Sequence, residues 1–384
     1  MKDELPLHDS IALLRALSSA HGIRASHSTV ANYSAIFARD AIMAGVAGLL
    51  LDDAMISTGL LRTLEGLRDL QGAQGQIASN FLRRDDGTVK VSFGTLAPRF
   101  DSATWYLVGV ALACHHGVAQ VGDFRESVEQ VVSLLDGIEY NGQHLLYVPA
   151  GGNWADEYPY DGYILYDQVL RAWGLDLLGT MLHQKRWREK SVAIADTIAA
   201  RYWPAGDWAY GGPRRFPVAA ISPVRTDEHF DLAACALLAL SGIAPELGAR
   251  TLDAIVTEFL AKGALPPAFA PTIHVGDPDW AALARYHLHG FRNAPDEYHN
   301  GGIWPIWLGW LALAFARSGR VDDARRLQQL TQAHVASLSA FDFEEYFHGR
   351  TGASMGTTGM AYTATGFVFL EHAPTADLAR HFGA

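Results

Sequence analysis

The chain is poor in the features that mark many classes of protein. Among 384 residues there are only two cysteines, Cys114 and Cys235, each inside an apolar helical stretch. Two reduced core thiols are expected there rather than a disulfide, and redox chemistry is not indicated. Lys and Arg number 30 against 41 Asp and Glu, a net charge of −11, and basic residues cluster no further than pairs such as Arg83-Arg84 and Arg214-Arg215. That balance argues against a nucleic-acid partner and against an anionic membrane surface. No run approaches the roughly 18 apolar residues of a membrane span. The opening MKDELPLHDSIALL also lacks the apolar core and small-residue site of a signal peptide, so a soluble cytoplasmic protein is expected. Phosphate-cradling GxxxxGK[ST], dinucleotide GxGxxG after a strand, the GxSxG elbow and HExxH are all missing. Of sixteen histidines, the pairs His115-His116 and His287-x-His289 lack carboxylate or cysteine partners at ligand spacing, so neither a metal nor another cofactor is expected.

What is present is apolar and helical. With 49% hydrophobic residues and a mean hydropathy of +0.05, the chain can bury a large core. No Pro/Ser-rich linker or low-complexity tract divides it, so residues 1–384 read as a single domain. Leu60, Leu61, Leu64, Leu67 and Leu70 form one helical stripe, Tyr166, Leu170, Trp173 and Leu177 another, and Trp304, Trp307, Leu308, Leu311 and Phe315 a third. Such patterns predict about twelve helices, over 9–22, 38–51, 53–70, 101–117, 123–137, 161–182, 184–202, 227–241, 245–261, 303–318, 320–338 and 359–371. Several pairs are joined by Gly-centred turns: HHGVAQVGD, SGIAPELG and RSGRVDD. Long aromatic and Gly-rich segments separate the pairs, at 71–100, 138–160, 203–226, 262–302 and 339–358. Loops of that length in a compact domain are usually functional. The expected fold class is all-α: six αα-hairpins closing into an (α/α)6 toroid with the long loops at one mouth. An open helical solenoid would satisfy the same periodicity.

Acids and rings coincide in those loops. GGNWADEYPYDGY places Trp154, Asp156, Glu157, Tyr158 and Tyr160 ahead of a helix, where a solvated helix face does not account for the acids. The plainer account makes Asp156 or Asp161 a helix N-cap. A sugar ring has an apolar face that stacks on Trp or Tyr and a rim of hydroxyls that pairs with carboxylates, Asn and Arg. Glycoside hydrolysis needs two carboxyl groups flanking the scissile bond, which sends the search for a second acid to FDFEEYFHGRTG, where Glu344 and Glu345 adjoin. DEYHNGGIWPIW, holding His299, Asn300 and Trp304, enters a helix through adjacent glycines and Pro305. YSAIFARDAI starts an otherwise apolar helix with Arg39-Asp40, for which an ion pair is the plain alternative. RFDSATWY opens another with Asp101, which N-capping would also explain.

These stretches resemble the six-hairpin glycosidases, most closely the neutral/alkaline invertases, with trehalases, glucosylglycerate hydrolases and the glucosidase half of debranching enzymes as relatives. IFARDAI is similar to the invertases' F-x-RD, APRFDSATWY to AP-x-DSG-x-WW, YHNGGIWP to YHNGGSWP, EEYFHGRTG to PEYYDGKTG, and NWADEYPYDGY to the acid-bearing segment. The resemblance implies an (α/α)6 barrel and an inverting, exo-acting hydrolysis that frees a terminal glucose or similar hexose from a small α-glucoside such as sucrose. Asp156 would be general acid and Glu345 general base. Arg39, Asp40, Asp101, His299, Asn300 and Trp304 would shape the subsite for the non-reducing sugar, with Trp154, Tyr158 and Tyr160 adding binding surface. The partner would be a small carbohydrate, and a homo-oligomer is compatible with the sequence. Departures fall at Glu157-Tyr158-Pro159-Tyr160, where the family carries Arg-Arg-Met-Gly, and at Tyr106, where it has a second Trp. Two other readings are kept: a sugar epimerase or isomerase on the same barrel with His229 and His299 as bases, and a non-catalytic helical scaffold.

Overall fold

The computed structural model describes residues 5–30, 32–84, 86–94, 97–140, 142–285 and 290–383. Its helices are α1 (Leu7–Leu17), α2 (Ala38–Leu50), α3 (Ala54–Asp69), α4 (Phe100–His115), α5 (Val121–Gly137), α6 (Leu165–Met181), α7 (Lys185–Arg201), α8 (Leu232–Ser241), α9 (Pro245–Glu258), α10 (Trp280–Leu283), α11 (Pro305–Arg317), α12 (Val321–Ser337), α13 (Ala361–His372) and α14 (Leu378–Phe382). All twelve expected helices are among them. Only the two short ones, α10 and α14, had no periodic signal long enough to read.

Helices α2, α4, α6, α8, α11 and α13 pack side by side, and α13 returns to α2. The ring is therefore closed, which excludes the open solenoid. Its members are apolar on every side: in α2 each residue except Arg39 is buried, and in α11 every residue from Pro305 to Phe315 is. A helix buried all round must be covered on both faces. The covering layer is α3, α5, α7, α9 and α12, each the hairpin partner of the inner helix before it, and α1, which packs on α13. The outer helices are one-sided, as in α5, where Phe124, Val128, Val131 and Leu135 are buried at helical spacing. Glycines bring inner helices close: a Cβ on Gly109 of α4 would sit 2.8 Å from Ile42 of α2. The turn glycines Gly117, Gly242 and Gly319 all take positive φ, near +70°, as the hairpin turns require.

Short two-residue strands precede several inner helices and explain why those helices start later than expected. Tyr163–Ile164 pairs with Ala220–Ile221, so α6 begins at Leu165, and Phe230–Asp231 pairs with Phe269–Ala270, so α8 begins at Leu232. Likewise Ser18–Ser19 folds back on Gly22–Ile23 and ends α1 at Leu17. These pairings tie each long loop to the N-terminal end of an inner helix, and the loops gather at that mouth. None of the helices is long and apolar enough to cross a membrane among the described residues.

Candidate active site

The acid-bearing loop is folded by Asn153, whose Nδ2 donates to the Tyr160 hydroxyl (3.0 Å) and to Asp167 Oδ2 (3.1 Å) while its Oδ1 accepts from the Ala155 amide (3.1 Å). Asp161 and Asp156 are not helix caps, since α6 starts after Ile164. Trp154 is packed edge-on to His299, Trp304 and Trp307 at 5.0–5.8 Å. Asp156 turns into a cavity of about 660 Å³, and its Oδ2 accepts from Arg99 Nη2 at 2.6 Å. Arg99 also donates to the Gly151 carbonyl and so ties the carboxylate to its own loop. The adjacent Glu157 points away and pairs with Arg292, whose guanidinium lies 4.2 Å over the Tyr298 ring.

The second acid comes from the last long loop, where Tyr346–Phe347 pairs with Ser354–Met355. Glu345 is 6% exposed and lines the same cavity as Asp156. Its Oε1 accepts from the Tyr33 hydroxyl (2.7 Å) and its Oε2 from the Thr357 amide (3.0 Å). Burial raises its pKa above the usual glutamate value, against those two hydrogen bonds and Arg292, while the charge of Asp156 adds to the rise. Glu344 does not line the cavity; its side chain accepts from the Asp342 amide at 3.0 Å.

The cavity floor is built at the first turns of inner helices. Arg39 and Asp40 on α2 face it with Tyr362 on α13 and Trp304 at the start of α11. Arg39 Nη1 donates to Asp101 Oδ2 at 2.6 Å, a closer partner than its neighbour Asp40 at 3.4 Å. Burial pushes Asp40 up to about 6, with Arg39 acting against it and the charges of Asp101 and Glu345 reinforcing it. His299 is buried and held well below its usual range, first by burial and then by Arg292, Arg39 and Arg99, so it stays neutral. Its ring stacks on Trp304 at 5.7 Å. Among the described residues Trp154 Nε1, His299 Nδ1 and the Tyr362 hydroxyl have no hydrogen-bond partner, and Arg39 Nε and Asp40 Oδ1 have only the 3.4 Å approach to each other. Unused polar capacity thus gathers around one cavity between two carboxyl groups and a wall of rings.

Comparison with known proteins points the same way. Residues 274–373 match the family described as alkaline and neutral invertase. A probable alkaline/neutral invertase F of Arabidopsis thaliana is 22% identical over 401 residues, covering 85% of this chain and 77% of its own length. A probable alkaline/neutral invertase D of the same plant is 28% identical over 137 residues, 35% of this chain and only 24% of that protein. The crystal structure of the GH63 mannosylglycerate hydrolase from Thermus thermophilus in complex with Tris superposes with a TM-score of 0.66 at 14% identity, covering 95% of this chain and 99% of that one, and the same enzyme is also known in complex with glucose.

The chain resembles the six-hairpin glycoside hydrolases and shares their fold.

Of the residues chosen from the sequence, Arg39, Asp40, Trp154, Asp156, His299, Trp304 and Glu345 line the cavity. Four others do not. Asp101, 1% exposed, is neither at the cavity wall nor an N-cap; it sits in the first turn of α4 and holds Arg39 from behind. Asn300 is used up on Ile273, accepting from its amide (2.7 Å) and donating to its carbonyl (2.8 Å). Tyr158 stacks on Phe269 at 3.9 Å and Tyr160 crosses the same ring edge-on, so both support Trp154 from beneath instead of offering a sugar a surface. His229 is also remote from the cavity, engaged with Asp227 (2.8 Å) and Tyr210 (2.9 Å). Residues the sequence did not single out complete the walls: Tyr33, Asn80, Arg99, Arg292, Tyr298 and Tyr362. Arg99 lies in the quoted APRFDSATWY and Tyr298 in YHNGGIWP, so proximity to a recognised motif was an available signal. Tyr33, at the head of the quoted YSAIFARDAI, carried it as well, and Arg292 did not. Among the described residues no group of three or more His, Cys, Asp or Glu could hold a metal ion. His287 and His289 lie outside the described residues.

Proposed function

We propose that this glycosidase is an inverting, exo-acting enzyme, one catalytic barrel over 1–384, that works in the cytoplasm without a cofactor. It releases a terminal hexose, glucose in the first instance, from a small α-glucoside such as sucrose. The observation that carries the reading is that Asp156 and Glu345, from loops far apart in the chain, line one cavity whose floor is Arg39 and Asp40 and whose wall is Trp154, His299 and Trp304. Its volume of about 660 Å³ suits a small molecule rather than a polymer threading through. A glucose complex of the mannosylglycerate hydrolase supports a hexose in this fold.

In the proposed reaction Asp156 gives a proton to the glycosidic oxygen as the C1–O bond breaks. Arg99 holds its Oδ2, which leaves Oδ1 toward the leaving group. Glu345 takes a proton from a water that attacks C1 from the opposite face. Arg39 and Asp40 bind hydroxyls of the terminal sugar. Against an epimerase with two histidine bases stands the position of His229, which does not face the cavity that His299 lines.

A panel of sucrose, trehalose, kojibiose, isomaltose, glucosylglycerol and glucosylglycerate, assayed for released glucose, tests activity and substrate together. Proton NMR of the first turnovers tests the stereochemistry. An α-linked substrate should yield the β-anomer first; initial release of the α-anomer would mean retention, and one of the two carboxylates would be a nucleophile.

A further inference from the structure

Tyr33 stands on a short loop before α2, at the head of YSAIFARDAI and 312 positions from Glu345. We propose that Tyr33 is a positioning residue for Glu345: its hydroxyl on Oε1 and the Thr357 amide on Oε2 fix the plane in which the carboxylate faces the cavity. The inference rests on the reading of Glu345 as the general base and adds a residue to it.

The two donors belong to segments that are stapled together. Ser26 Oγ donates to the Thr358 carbonyl at 2.9 Å, one residue beyond Thr357, and the Ser26 amide donates to the Tyr33 carbonyl at 2.9 Å. The Ala361 amide donates to the Ala25 carbonyl at 2.9 Å, which anchors the pair of segments to the start of α13. Tyr33 and Thr357 are therefore held at a set spacing, and the carboxylate between them is gripped at both oxygens. One donor on each oxygen leaves each a second lone pair. A water can give its proton to one of these while Tyr33 keeps its own. Burial, and then the charge of Glu345, raise the Tyr33 phenol far above its usual range, so it remains a donor at every working pH. Gly356 adds to the fit: a Cβ there would stand 2.5 Å from Glu345 Oε2, so the loop wraps the carboxylate closely.

Besides Tyr33, the charged and titratable groups that act on Glu345 or feel it are Arg292, Asp156, Asp40, Tyr298 and Tyr346. Tyr33→Phe leaves all of them and the ring in place and removes one hydrogen bond made to the ionised form. Losing such a bond favours the protonated acid, so the carboxyl should titrate higher. The acid limb of kcat/KM then moves to higher pH by roughly one unit, about a tenfold loss at a pH on that limb. On the plateau kcat should fall by about tenfold, because the base is less well aimed, with KM little changed.

Glu345 can also be followed without substrate, by ¹³C NMR of side-chain-labelled glutamate, its resonance assigned by its loss in Glu345→Gln. A higher midpoint in Tyr33→Phe than in wild type is the expected result. Equal midpoints, or a pH profile that keeps its acid limb while activity drops, overturn the inference. Failure of the underlying reading looks different: Glu345→Gln would retain full activity on whichever sugar is cleaved.

Discussion

Gly356→Ala is a small change with a large expected effect. The ideal Cβ lies 2.5 Å from Glu345 Oε2 and 2.8 Å from its Cβ, about 1 Å closer than ordinary contacts allow. Glu345 cannot yield without giving up Tyr33 or Thr357, and the loop cannot yield without moving the Thr357 amide. Displacing a catalytic group by about 1 Å can cost on the order of 10² in rate, so kcat should fall about a hundredfold while KM changes little. Gly356 also has φ +88°, where an L side chain costs about 1–2 kcal/mol, so the melting temperature should drop by a few degrees. Gly206→Ala separates the two effects, for Gly206 has φ +108° but nothing within 4 Å of a built Cβ. It should lower Tm and keep kcat. The assay is initial-rate kinetics on the cleaved sugar with thermal melts of both variants. If Gly356→Ala kept kcat within about threefold of wild type, the close wrap of the loop around Glu345 would not matter to catalysis.

Asp156→Asn and Glu345→Gln should each lower kcat by roughly 10²–10⁴, the usual contribution of a positioned acid or base, with melting temperatures near wild type. Glu344→Gln should be close to silent in the same kinetics, and the opposite pattern would reassign the base. Asp40→Asn tests the buried floor. Its folded pKa of about 6 exceeds that of an unfolded aspartate, about 4, so the native state holds its proton more tightly and stability falls as pH rises through that window. Melts of Asp40→Asn should therefore run above wild type at pH 8, by up to about 3 kcal/mol in stability, and converge with it below about pH 4.

The helices were legible because a six-hairpin ring demands them in a form that sequence periodicity registers: inner helices apolar all round, outer ones striped, glycines at the turns. Helix starts were less so, since Tyr163–Ile164 and Phe230–Asp231 are apolar enough to continue a helical pattern but pair with strands from another loop. At the site, residues inside motifs were readable, and the first turns of α2 and α11 supplied Arg39, Asp40 and Trp304. Burial without function looked the same from the sequence. Tyr158 and Tyr160 sit among acids and rings just as Trp154 does, and only their packing on Phe269 separates support from surface. Tyr33, though it heads YSAIFARDAI, and Arg292 gave no sign of their roles, because these lie in Glu345 and Glu157, residues more than a hundred positions away.

The helix pair that shuts the ring joins α13 to α1, and beside it run the bond from Tyr33 to Glu345 and that from Ser26 to Thr358, the latter linking residues 332 positions apart. Every other inner–outer pair is a local hairpin that can form soon after it is synthesised, whereas this one must wait for the last long helix and carries the largest loop-closure entropy. Secondary structure and catalytic competence should therefore mature on different clocks. During refolding, helical circular dichroism should recover before activity does. Under mild denaturant, opening of this seam should silence the enzyme while most of its helices are still intact.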